Sequence, residues 1–194
     1  MRDLILKMSV SIDGFVASHD GDNGWMFGGD EAAKAWSIET LWTAGLHIMG
    51  SRTFADMAGY WPTSTSPFAP PMNGIPKAVF SGRGTAILPA ASDEPGQAGA
   101  ESWATAHVAS GDLADEVAAL KARDGAPIIA HGGAAFARAL IARGLVDRFA
   151  LLAHPVALGA GLTIFSDLPV PLRLALVSST AFPGGAVAQV YRVA

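Results

Sequence analysis

No cysteine occurs in the chain, so disulfides, thiolate nucleophiles and cysteine-bearing zinc sites are all excluded. Apolar runs are short: none approaches the roughly 20 residues that span a bilayer. Lys7 and Asp13 interrupt the N-terminal segment that a signal peptide would keep apolar. A cytoplasmic setting with no membrane partner is therefore expected. Basic excess is absent too, with 13 Lys plus Arg against 17 Asp plus Glu and a formal net charge of −4, which leaves no electropositive footprint for nucleic acid. The five histidines, His19, His47, His107, His131 and His154, stand at no helical or hairpin metal spacing and beside no carboxylate motif, so no metal is expected. A Gly-x-Ser-x-Gly elbow is missing, which removes support for serine-hydrolase chemistry. The Gly-x-Gly-x-x-Gly fingerprint and the P-loop are missing as well, which leaves the standard dinucleotide and nucleotide-hydrolase folds unsupported.

What is present fits one domain over residues 1–194, a length that buries roughly 70% of the unfolded chain's surface around a single core. Residues 4–12 read as a buried strand stopped by Asp13-Gly14. Phe15-Val16-Ala17 then leads outward into a loop, 18–29, rich in Gly and Asp. Trp25, Met26 and Phe27 on that loop are large apolar groups that a loop exposes only when something covers them. The loop reads as a lid or pocket wall, with Trp25 and His19 on its substrate side. Asp30 caps a helix that should run to Ala44-Gly45, with Glu31 in the first turn where the helix dipole favours a negative charge. Residues 46–49 form a short strand, and Gly50-Ser51-Arg52-Thr53 turns it into a second helix.

Segment 61–76 contains Pro62, Pro67, Pro70, Pro71 and Pro76 and predicts an irregular surface loop. Residues 77–80 resume as a strand ending at Ser81-Gly82-Arg83-Gly84. Stretch 90–102 is small and polar enough to be mobile, yet too short to separate domains. Asp112 caps the clearest helix of the sequence, stopped by Gly125. Strand 127–130, the turn His131-Gly132-Gly133, helix 134–143 and strand 147–154 have the spacing of a parallel unit. Residues 172–179 and 186–193 read as an antiparallel hairpin around Pro183-Gly184-Gly185. The fold class is α/β, a mixed sheet with helices on its faces.

The strongest chemical signal is a repetition. Glycine at a strand end followed directly by a helix occurs at Gly50 and again at Gly132-Gly133. Each can be a tight turn and no more, or each can receive a phosphate. Glycine lets the backbone approach an anion, and the N–H groups of a first helical turn donate to it without any net charge on the protein. Arg52 and Arg83 can add charge-assisted contacts.

Met8-Ser9-Val10-Ser11-Ile12-Asp13-Gly14-Phe15-Val16-Ala17 and Ile48-Met49-Gly50-Ser51-Arg52-Thr53-Phe54 resemble the opening motifs of the dihydrofolate-reductase-like family. Ile129-Ala130-His131-Gly132-Gly133 and the run from His154-Pro155 to Ile164-Phe165 are similar to its riboflavin-biosynthesis reductase (RibD C-terminal domain) branch. The resemblance implies a largely parallel sheet with an antiparallel C-terminal hairpin, binding NADPH across the strand ends. By position, Gly50, Ser51, Arg52 and Thr53 would hold the pyrophosphate and 2′-phosphate side. Ser81 and Arg83 would take the adenosine side, and Gly132, Gly133, Ala134 and Ala135 the pyrophosphate. Val16 and Ala17 would line the nicotinamide. The implied reaction is hydride transfer to a planar heterocycle, pterin-like or a pyrimidine such as 5-amino-6-(5-phosphoribosylamino)uracil, and relatives of the family imply a homodimer. A zinc deaminase half, as in bifunctional relatives, needs a Pro-Cys-x-x-Cys motif that a chain without cysteine cannot hold. Two carboxylates are candidates for catalysis: Asp30, readable as a helix cap or as the proton source, and Asp13, readable as a turn former or as a direct participant. The alternative reading is a flavin- or nucleotide-binding protein of the same fold, with another redox substrate or no catalysis.

Overall fold

The strands form where the apolar pattern is densest. The computed structural model describes residues 1–28, 30–89, 101–166 and 168–194. In chain order the elements are β1 (Leu4–Ser11), β2 (Phe15–Ala17), α1 (Glu31–Trp42), β3 (Leu46–Gly50), α2 (Ser51–Tyr60), α3 (Ala69–Gly74), β4 (Lys77–Phe80), α4 (Glu101–Ala104), β5 (His107–Ala109), α5 (Leu113–Ala122), β6 (Ile128–Ala130), α6 (Ala134–Ala142), β7 (Arg148–His154), β8 (Leu162–Thr163), β9 (Leu174–Ala181) and β10 (Val187–Val193). The strand complement is that of a mixed, largely parallel eight-stranded sheet with flanking helices and an antiparallel C-terminal hairpin, the class read from the sequence. The described residues divide into two compact units: Met1–Arg2 with Ile38–Gly133, and Asp3–Ser37 with Ala134–Ala194.

The first unit holds four parallel strands in the order β5-β4-β3-β6. Leu46, His47, Ile48 and Met49 are all buried, as a strand covered on both faces must be. Phe54 of α2 and Trp103 of α4 are fully buried with ring centres 5.6 Å apart. Asn73 of α3 accepts from the Trp103 indole N–H at 2.9 Å and donates to the Trp61 carbonyl at 2.9 Å. The sequence-based expectation of an irregular 61–76 fails here. Trp61–Thr63 is a 3-10 turn and Ala69–Gly74 is an α-helix, because Pro70 and Pro71 occupy the first turn, where the missing N–H has no partner to lose.

In the second unit β1 and β7 run parallel, with Ser9 opposite Leu152 and Ser11 opposite His154, and β10 and β9 continue antiparallel. Ala33 and Trp36 of α1 pack with Leu152, Ala186, Ala188 and Phe182. Phe15–Ala17 is also a correction. It pairs with β8 as a small second sheet instead of leaving as loop, and a 3-10 turn, Gly24–Gly28, orders part of the loop that follows. Most of the predicted mobile stretch, residues 90–100, and Gly29 lie outside the described residues; its end, Glu101–Ala104, is helical. No described helix is long and apolar enough to cross a membrane.

Candidate active site

Within the first unit, the carboxyl ends of β3, β4 and β6 lie side by side, with Ile48 opposite Ala130 and Gly50 opposite Phe80. This is the edge of a parallel sheet where ligands of α/β proteins bind. Gly50 is the N-cap of α2, extended at φ −76° and ψ 163°, and no side chain caps the helix. The N–H groups of that first turn therefore face outward without a side-chain acceptor, beside an exposed Arg52. The Gly133 N–H donates to Thr53 Oγ1 at 2.8 Å. Thr53 thus ties one glycine junction to the other, and the Gly132–Gly133 peptide is cis. Ser81 follows β4 directly and is buried, and its Oγ accepts from the Arg83 N–H at 3.1 Å while the Arg83 side chain is exposed. Gly50, Ser51, Arg52, Thr53, Ser81, Arg83, Gly132 and Gly133 are all brought to this one sheet end. Ala134 and Ala135 open α6.

The second unit carries the remaining candidates. Val16 and Ala17 are buried on β2. His19 is exposed on the loop. Trp25 packs edge-on against His154 with ring centres 5.5 Å apart. The Trp25 indole N–H is buried and meets no acceptor among the described residues.

Asp30 caps α1: one oxygen accepts from Ala33 N–H at 2.7 Å and the other from Gly184 N–H at 2.5 Å. Those two donors hold its carboxyl below the ordinary carboxylate range. Asp13 accepts from the Ser11 hydroxyl at 2.6 Å, from Gly159 N–H at 2.7 Å and from Leu158 N–H at 3.0 Å. The Ser11 and Gly159 bonds lower its carboxyl as well. Both groups are anions whose lone pairs serve neighbouring donors, and neither holds a proton to give near neutral pH.

The group that can give one was not singled out from the sequence. Lys7 stands on β1 between apolar neighbours, and burial lowers its ammonium from 10.5 to about 8. Its Nζ lies 5.8 Å from the centre of the Trp36 ring. Two residues on, Ser9 Oγ lies 3.1 Å from His154 Nε2. Burial first, then the Lys7 charge, lowers the His154 imidazole below its usual value, which keeps it neutral. Ser9, His154 and Trp25 thus form a polar cluster, with the Lys7 charge felt by His154. The signal is in the sequence: a lysine inside an apolar strand costs free energy unless something uses it.

A family model for the RibD C-terminal domain matches residues 2–188. The chain belongs to that family. This RibD C-terminal domain protein is 27% identical over 190 residues to the uncharacterized protein YyaP of Bacillus subtilis (strain 168), covering 98% of this chain and 94% of YyaP. Its fold is similar to that of a pyrimidine reductase-like protein from Corynebacterium diphtheriae, with a TM-score of 0.66, 20% identity and coverage of 100% of this chain and 92% of the other. It is also similar to a diaminohydroxyphosphoribosylaminopyrimidine deaminase/5-amino-6-(5-phosphoribosylamino)uracil reductase from Thermotoga maritima, with a TM-score of 0.65 and 17% identity. The RibD C-terminal domain protein is covered in full by that match but spans 57% of the Thermotoga chain.

Proposed function

We propose that the chain is an NADPH-dependent reductase of a planar heterocycle, a pyrimidine such as 5-amino-6-(5-phosphoribosylamino)uracil or a pterin-like ring. The observation that carries this is the pair of glycine junctions tied by Thr53, with the uncapped start of α2 and Arg52 beside them. That donor set fits a dinucleotide: backbone N–H groups suit the pyrophosphate, and exposed guanidinium groups suit a 2′-phosphate. When bound, a reduced nicotinamide supplies the hydride.

The chain's own residues do the rest. Gly50 to Thr53 and Gly132 to Ala135 hold the phosphates, Ser81 and Arg83 the adenosine side, and Val16 with Ala17 the nicotinamide face. Hydride addition to a C=N or C=O carbon leaves its heteroatom one proton short. Lys7 is suited to supply that proton, because an ammonium near 8 is protonated at neutral pH yet acidic enough to give it up. Neutral His154 and Trp25 offer N–H donors that orient the heterocycle. Asp30 and Asp13 act on the backbone and not on the reacting atoms.

The reading places the protein in the cytoplasm as a homodimer, in which the terminal strand β9, with exposed Leu176 and Val177, meets a second copy. The deciding experiment is calorimetric titration with NADPH and NADH, repeated on Arg52→Ala. Micromolar NADPH binding that weakens about 10- to 100-fold in the variant, the loss of one charge-assisted contact, supports the reading. Failure of both nucleotides to bind removes it, and a yellow flavin retained on purification selects the flavin alternative.

A further inference from the structure

β2 is three residues long and, among the described residues, its ladder is with the two residues of β8, across a register shift. So short a pairing does not fix a strand by itself. The segment is held instead by what surrounds Asp13. Ile12 N–H donates to Val156 O at 2.9 Å, and Phe15 N–H donates to Ser11 Oγ at 2.9 Å. The Ser11 hydroxyl donates to the Asp13 carboxylate, which also accepts from the N–H groups of Leu158 and Gly159. At the far end of the same loop, Gly161 lies on the Ala17 carbonyl so closely that a Cβ there would overlap the oxygen, and its φ of +157° is one that side chains rarely adopt.

We propose that Asp13 is a positioning residue: its carboxylate straps the loop 156–161 to the β1–β2 turn and so sets the place of Val16 and Ala17. The proposal rests on the reductase reading only for what β2 touches. Three donors from two segments converge on one anion, and charge-assisted bonds of this kind are the strong ones. An asparagine supplies one acceptor oxygen and turns N–H groups toward N–H groups, so Asp13→Asn loosens the strap partly and Asp13→Ala wholly. Gly161→Ala displaces the same strand from the other end while leaving Asp13 intact.

The test is hydrogen exchange on the full chain without ligand, with NADPH titration and turnover of 5-amino-6-(5-phosphoribosylamino)uracil beside it. In Asp13→Ala and Gly161→Ala, amides of 14–17 and 158–163 exchange at least about tenfold faster, while those of 46–50 and 128–130 keep their wild-type rates. Asp13→Asn falls between. NADPH affinity stays within about threefold because the phosphate donors are untouched, whereas kcat drops on the order of 10- to 100-fold, as misplacement by a fraction of an ångström to an ångström predicts. Unchanged exchange at 14–17 in both variants overturns the proposal, as does lost protection with unchanged kcat. If the wild type binds no NADPH, the reductase reading fails, and exchange alone then decides whether the strap exists.

Discussion

Lys7→Met is the substitution in which the reading of the site exposes itself most. A depression of the Lys7 ammonium from 10.5 to about 8 is a penalty of about 3 kcal/mol on the charged form. The folded state binds fewer protons than the unfolded one between those two values, so stability rises with pH across that window. Below pH 8 the penalty is present in full. Methionine has nearly the same volume, carries no charge and loses the contact with Trp36, worth about 0.5–1 kcal/mol. At pH 7 the variant should therefore be more stable by about 2 kcal/mol, and the gain should shrink toward zero as the pH approaches 10.5. Activity should move the opposite way, with kcat/KM down by about 10²–10⁴-fold, the ordinary contribution of a positioned proton donor. In the wild type, the same group predicts a rate that declines above pH 8. Urea unfolding at pH 7 and pH 10, together with NADPH oxidation assays across that range, reads both effects. A Lys7→Met protein that is less stable and equally active would refute the reasoning, because the lysine would then be structural.

Two further outcomes follow from the first unit. Lys77 is 2% exposed, donates to Ser102 Oγ at 2.8 Å and to the Ile75 carbonyl, and is lowered by burial from 10.5 to about 7; its folded state is the less protonated one between those values, so the wild type should gain about 2 kcal/mol between pH 7 and pH 9 that Lys77→Met does not. Chemical unfolding at the two pH values measures the difference, after allowance for the smaller rise owed to Lys7. Thr53→Val removes the hydroxyl that accepts from Gly133 N–H and should weaken NADPH binding by about 5- to 10-fold with little change in Tm, the cost of one neutral hydrogen bond at an exposed junction; titration calorimetry checks it.

The two glycine junctions were legible because their parts are local. Strand, glycine, helix is a pattern of adjacent residues, and Gly50 and Gly132 announce it separately. The contact that makes the two junctions one site, Thr53 to Gly133, spans 80 positions and has no trace in either segment. The same divide explains the misreadings. Pro70 and Pro71 were weighed as breakers, a local rule that is correct for a helix interior but not for a first turn. Residues 15–17 read only as the way into the loop 18–29, because β8, the strand that pairs with them, lies more than 140 residues away.

The acidic candidates carry that argument into the chemistry. Asp30 was legible as a cap, since the Ala33 N–H lies three positions on, but its second partner is Gly184, 154 positions away. Asp13 likewise receives Leu158 and Gly159 from 145 and 146 positions away. A carboxylate becomes an acid when its surroundings withhold donors and an anchor when they supply them, and those surroundings are distant in sequence. Lys7 is the reverse case. Its place in the apolar run Leu4-Ile5-Leu6-Lys7-Met8 is local, while the burial that lowers its ammonium comes from the fold around it. A lone charge in an apolar strand can be read from a sequence; the donors that decide a carboxylate's role cannot. A lysine inside an apolar strand is a signal within the first ten residues, although it was not singled out there, whereas the role of each aspartate depended on the fold.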